Sequence, residues 1–214
     1  RFFTWMGAIA SRGYDGAVNI PERPGPHERP PRGPAAALAQ RITAQIPVLE
    51  TARLRLRAPR ITDFQVYARI ACSRRARFLG GPMTREEAWD DFARTCSVWL
   101  WRGHGAWVMM QKADDVPLGV VLLGFEPGDQ DPELGIALTQ AAEGQGFALE
   151  AARAARDYAF RALEFPRLVS YVSPENTRAV ALMEKLGAQC EPALLNGNLV
   201  YRHTPPSARM DPHS

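Results

Sequence analysis

A chain of 214 residues, 46% hydrophobic and 23% charged, holds enough apolar material for one ordinary globular domain with length to spare. The net charge of +3 and pI of about 9.0 lean on Arg1, Arg12, Arg23, Arg29, Arg32 and Arg41; the remainder is near balance and lacks the interleaved basic and aromatic patch of a nucleic-acid surface. No apolar run approaches the roughly 20 residues of a helical membrane span, and Cys72, Cys96 and Cys190, odd in number and without metal or redox spacing, argue against a disulfide framework or metal centre and suit a reduced, cytoplasmic setting.

Phe2 to Ala10 is apolar and closes on Ala8-Ile9-Ala10, the form of a signal-peptide end, a reading that needs a basic start before Arg1. From Pro21 to Pro34, Pro, Gly, Arg and Glu dominate, a composition that predicts an extended linker and puts the fold after it. Ile46 to Ala58 alternates Leu54 and Leu56 with arginines, the period of a half-buried strand. Thr62-Asp63 opens an amphipathic helix to about Cys72, broken off by Gly80-Gly81-Pro82. Thr84 with Glu87 forms a capping box for a second helix, which carries Trp89, Phe92, Ala93, Cys96 and Trp99 on one face and stops at Gly103.

Gly105 to Gln111 and Leu118 to Phe125, joined by Lys112-Ala113-Asp114-Asp115, predict an antiparallel hairpin, and Glu133 to Thr139 a further strand. Gly144, Gly146 and Ala148 then introduce an Ala-rich helix to about Leu163. Leu168 to Ser173 reads as a buried strand, Thr177 to Leu186 as a helix ended by Gly187, and residues 189–193 and 199–203 as strands around the turn dipeptide Asn196-Gly197. The predicted order is βααβββαβαββ, a mixed sheet with one βαβ unit toward its C-terminal half.

The segment that points to chemistry is the passage from the strand at Glu133 into the helix after Gly146. Small residues there let the free N–H groups of a first helical turn approach an anion, aided by the helix dipole, and a pyrophosphate would suit them. Close strand–helix packing explains small residues at this position equally well, so the context decides.

In that context, Gly144-Gln-Gly146-Phe-Ala148 resembles the acetyl-CoA motif of the GNAT acetyltransferases, Gln/Arg-x-x-Gly-x-Gly/Ala. Asn176-Thr-Arg-Ala179 with Glu184-Lys-Leu-Gly187, and Leu49-Glu-Thr-Ala-Arg-Leu-Arg-Leu-Arg57 upstream, resemble that family's bacterial ribosomal-protein N-terminal acetyltransferase branch. The resemblance implies the α/β GNAT fold, a mixed and mostly antiparallel twisted sheet with helices on both faces, over 46–205, flanked by a disordered extension (1–45) and a flexible tail (206–214). It implies direct transfer of acetyl from acetyl-CoA to a primary amine of a protein N-terminus or a small molecule, with no metal and no membrane partner, and it leaves a homodimer open. The N–H groups of Gln145, Gly146, Phe147 and Ala148, in the turn begun by Gly144, would bind the pyrophosphate. Backbone of Ile136, Ala137 and Leu138 would pair with the pantetheine arm, and Asn176 would add a side-chain contact.

An amine that titrates near ~8 or, on lysine, ~10.4 must lose a proton before it attacks. Glu133 is the candidate base, with Asp131 and Glu126 as rivals. Three positions depart from the family: Glu143 replaces the motif's Gln or Arg and must point away from phosphate, Ala179 replaces a serine, and Met183 stands where other members place a general-acid tyrosine. Tyr201, Tyr171 and Ser173 are the remaining hydroxyls that could serve as acid, and water could replace them. Substrate selection would fall to Phe78–Thr84, Trp99–His104 and Leu194–Tyr201. The alternative to an enzyme is a catalytically silent acyl-CoA-binding or protein-interaction module of the same fold, motivated by the three departures together.

Overall fold

The computed structural model describes residues 24–206; the Phe2–Ala10 segment with its signal-peptide reading, and the end of the chain after 206, lie outside them. In chain order the elements are α1 (Gly33–Thr43), β1 (Leu49–Glu50), β2 (Leu54–Arg57), α2 (Phe64–Ala71), α3 (Arg85–Arg102), β3 (Ala106–Gln111), β4 (Pro117–Gly124), β5 (Glu133–Leu138), α4 (Phe147–Arg161), β6 (Val169–Val172), α5 (Thr177–Lys185), β7 (Gln189–Cys190) and β8 (Leu199–Arg202). The eight strands form one sheet in the order β1-β2-β3-β4-β5-β6-β8-β7. Every neighbouring pair is antiparallel except β5 and β6, which are parallel and joined through α4.

Period-two alternation sorts the core into two layers. Leu54, Leu56, Trp107, Met109, Val121 and Leu123 face α4 and α5, where Ala151, Ala155 and Ala159, each fully buried at helical spacing, let the helix lie close to the strands. Val108, Val120 and Leu122 face α2 and α3 and meet Phe64, Ala68 and Phe92. Gly119 has a backbone reason: a Cβ there would stand 2.1 Å from the carbonyl oxygen of Ala137, so β4 and β5 approach too closely for a side chain.

Two expectations are revised. The single strand over Ile46–Ala58 folds back on itself, because Thr51 pairs with Leu54 through both its N–H and its hydroxyl and turns β1 onto β2. The described part of the Pro- and Arg-rich stretch, Pro24 to Pro34, expected to be extended, holds a short turn and the start of α1. A short turn at Pro26–Glu28 buries the Glu28 carboxylate, which accepts from Arg85 Nε at 2.7 Å, Arg85 Nη2 at 2.6 Å and Gln65 Nε2 at 3.0 Å. The His27 ring packs edge-on against Trp89 at 4.8 Å. One buried charge with a bidentate partner thus docks a segment whose average composition predicts none; α1, by contrast, buries no residue. Among the described residues, no helix is long and apolar enough to cross a membrane.

Candidate functional site

The parallel strands β5 and β6 touch at one register pair, Glu133 opposite Val169, and then part. Thr139 N–H donates to Leu118 of β4 at 2.8 Å, so by alternation the backbone of Ala137 also faces β4, while that of Leu134, Ile136 and Leu138 faces the gap. Ser170 Oγ donates to the Leu134 carbonyl at 2.6 Å. The backbone groups of Ile136 and Leu138 are left along one wall of a cavity of about 420 Å³, closed by the start of α4, one face of α5 and the turn at Phe78–Leu79. Of the three residues expected to offer backbone here, Ala137 contributes its side-chain face instead.

At the far end stands the first turn of α4. Gly144 (φ +74°) and Gly146 (φ +81°) take the left-handed backbone, and Gly146 is the N-cap. The N–H groups of Phe147, Ala148 and Leu149 have no carbonyl one turn earlier to accept them. Glu150 is the acid best placed to cap them internally, but its carboxylate is turned away: it accepts from the Thr51 hydroxyl at 2.6 Å and from the backbone N–H and Nε of Arg53, each at 2.7 Å. Arg53 Nη1 also donates to the Gln145 carbonyl at 2.9 Å. In a planar trans peptide this directs the Gly146 N–H away from Arg53. Arg53, stacked 4.5 Å over the Phe147 ring, therefore braces the start of α4 from behind without capping its first N–H groups. Its signal lay in the Leu49–Arg57 segment, where alternation shows only a solvent-facing arginine.

Of the expected cradle residues, Gly144, Gly146 and Ala148 line the cavity, as does Asn176, whose Oδ1 caps α5 by accepting from Ala179 N–H at 3.2 Å. Gln145 and Phe147 bring backbone only: the Gln145 amide donates to Ala141 O at 2.6 Å, and the Phe147 ring is buried. Glu143 also reaches the cavity wall and accepts from both Arg75 and Arg178, the latter at 2.5 Å.

The proton-transfer candidates divide. Glu133 is 2% exposed on the α2–α3 face of β5, accepting from Tyr171 N–H at 3.4 Å. Burial first, then the Asp129 carboxylate, hold it well above the usual carboxylate range. It lies four residues before Ala137, roughly 13 Å at a strand's rise, and outside the cavity wall. Its rivals are tied in ion pairs, Asp131 to Arg202 and Arg167, Glu126 to Arg94. Tyr201 is buried beside Cys190 on β8, and Tyr171 accepts from Gln130 N–H at 3.3 Å; neither they nor Ser173 nor Met183 line the cavity. Ala179 does. Among the selectivity candidates, Phe78 and Leu79 reach the cavity, while Trp99 packs on Trp107 and His104 is buried with Nδ1 2.7 Å from Leu123 O.

Nothing in the sequence marks Tyr67 and Asp91. They bound a cavity of about 10 Å³ that shares Ile70, Leu79 and Ala137 with the larger one. Tyr67 OH donates to Asp91 Oδ2 at 2.5 Å, and Asp91 also pairs with Arg94. The two cavities share a wall, and the buried Tyr67–Asp91 hydrogen bond lies behind it on the α2–α3 side.

A family model described as an acetyltransferase (GNAT) domain matches residues 53–189. The crystal structure of an acetyltransferase from Agrobacterium tumefaciens is 36% identical, covers 74% of this chain and 95% of its own, and superposes with a TM-score of 0.71. An uncharacterized N-acetyltransferase, p20, of Bacillus licheniformis is 33% identical over 87 residues, 39% of this chain; the match spans 47% of the length of that curated relative. Two further structures share the fold: ribosomal L7/L12 α-N-protein acetyltransferase with coenzyme A (18% identical, TM-score 0.60, covering 74% of this chain and 98% of its own) and Vibrio cholerae spermidine N-acetyltransferase with CoA and spermine (22%, 0.57, 71% and 94%).

Proposed function

The chain belongs to the acetyltransferase (GNAT) family, and from that premise we propose that it transfers acetyl from acetyl-CoA directly to a primary amine. The observation that carries this reading is the cavity between the parted strands, with open backbone at Ile136 and Leu138 on one wall and an uncapped helix start at its end. The residues present fit the group: the cradle N–H groups of Gly146, Phe147 and Ala148 hold the pyrophosphate, and the β5 edge orients the pantetheine arm. Acetyl-CoA supplies the activated acyl group as a thioester.

Direct transfer is supported by the wall's composition. Among the described residues lining the cavity there is no serine, threonine, tyrosine or cysteine, and its one carboxylate, Glu143, is held by Arg75 and Arg178. For the same reason the departing thiolate takes its proton from water. Ile70 and Leu79 exclude solvent on the α2–α3 side of the cavity, where the amine meets the thioester. Glu133, on that same face of β5, receives the amine proton through intervening water. The acceptor is a peptide N-terminus or a small amine.

The test is turnover of acetyl-CoA by the full chain on both acceptor classes, with Glu133→Gln beside it. Burial raises the Glu133 pKa, so its basic form, and the rate, grow as pH rises through that folded-state value. The variant should lose this limb and about 10²-fold in kcat. An unchanged pH profile would remove Glu133 from the mechanism; binding of acetyl-CoA with no turnover on any amine would return the silent-module reading.

A further inference from the structure

Glu143 breaks the family motif at the residue before Gly144, yet it is not isolated. It is held between Arg75, from the turn after α2, and Arg178, in the first turn of α5. All three line the cavity, and Lys185 joins them, so the wall carries three cations against one carboxylate. Arg75 Nε is buried without an acceptor, a donor left unused while the guanidinium serves Glu143. A carboxylate and a phosphoryl oxygen pair ask the same of a guanidinium, so what one holds the other can take.

We propose that Arg75 and Arg178 are phosphate-binding arms of the cofactor site and that Glu143 is their built-in competitor, occupying both guanidinium groups until phosphoryl oxygens of the cofactor replace it. The proposal rests on the acetyl-CoA reading. Its geometric basis is that the two arms come from different elements of the cavity wall, the turn after α2 and the start of α5, and meet at the residue preceding the Gly144 turn. Two consequences follow. Cofactor affinity is set below what the cationic wall alone would give, and binding is an exchange of one ion pair for another rather than the filling of a bare cationic pocket. Glu143→Gln keeps the side chain's size, removes the competing charge and frees the arms.

The experiment is calorimetric titration of the full chain and its Glu143→Gln, Arg75→Ala and Arg178→Ala variants with CoA and with dephospho-CoA, thermal melting serving as the control for folding. Glu143→Gln should bind CoA roughly fivefold more tightly, the size of a partly exposed ion-pair contribution, and the gain should shrink in high salt. Each arginine variant should bind more weakly by a similar factor. A gain that persists with dephospho-CoA assigns the arms to the pyrophosphate, and one that disappears assigns them to the ribose phosphate; both support the proposal. Equal or weaker CoA binding by folded Glu143→Gln, or unaltered binding by both arginine variants, overturns it while leaving the acetyltransferase reading intact. Folded wild-type protein that binds no CoA overturns both.

Discussion

The two sides of the central gap are built differently. One side, β5 through α5, which we propose as the cofactor side, is built from backbone: glycines that take left-handed angles, N–H groups at the start of α4, and the open edge of β5. The other side, α2 and α3 with the docked turn at Pro26–Glu28, is held by side chains that meet from distant points of the chain: Glu28 with Arg85, Tyr67 with Asp91, Arg94 with Glu126. Backbone recognition needs particular residues at fixed short spacing. Side-chain recognition needs only that the fold bring the groups together. The first leaves a motif in the sequence and the second does not.

The sharpest way to break this contrast is Gly146→Val. The substitution forces a β-branched residue to φ +81° and puts methyl groups where the cradle must admit an anion, although the only atom near a Cβ is the Arg53 guanidinium at 3.4 Å. CoA affinity should fall at least ~100-fold, about 3 kcal/mol, in a protein that still melts cooperatively. Unaltered affinity in a folded variant would mean that the helix start is packing and not recognition.

On the α2–α3 side the corresponding change is Glu28→Ala, and it should act on stability, leaving CoA affinity within about twofold. Arg85, with its side chain 12% exposed, would be left without its bidentate partner, a loss of about 2 kcal/mol. The pH dependence has a definite sign. The hydrogen bond from Arg85 is the main cause holding Glu28 below the ordinary carboxylate range, so its contribution is complete above the unfolded-state pKa and is lost as pH falls through the folded-state value. The melting temperatures of wild type and variant should therefore converge in acid. A constant gap across pH would show that Glu28 stabilises by packing alone.

The same distinction explains how far the sequence could be read. Strand and helix positions from β2 to β8 follow from alternation, capping boxes and glycine stops, all local signals: Thr84 with Glu87 starts α3 and Gly103 ends it, as expected. The turn through Gly144 and Gly146 into α4 was legible for the same reason. Arg53 was not, because an arginine alternating with leucines reads as surface until Gln145 and Glu150 are brought against it from more than 90 residues away. The turn at Pro26–Glu28 was hidden by composition, since one buried carboxylate in a Pro- and Arg-rich stretch does not alter the average. Glu143 read as a charge that must avoid phosphate, and Arg75 and Arg178, which neutralise it, come from two other elements.

The smallest expected effect tests the boundary between the two sides. Tyr201 is the hydroxyl that the sequence offers as general acid once Met183 has displaced the family's tyrosine. In the fold it sits on β8, 4% exposed, opposite Ser170 of β6, with Cys190 beside its hydroxyl, and burial raises its pKa. A phenol that stays protonated could donate to a thiolate only if it reached the cavity, and Tyr201 does not line it. Tyr201→Phe removes the hydroxyl and keeps the ring, so kcat should change by less than about twofold, with a stability cost near that of one hydrogen bond, about 1 kcal/mol. A tenfold fall in kcat at unchanged KM would place the hydroxyl next to the leaving thiolate. Water would then not be the proton source, and the gap between β5 and β6 would have to open further toward β8 during turnover than the single Glu133–Val169 pairing implies.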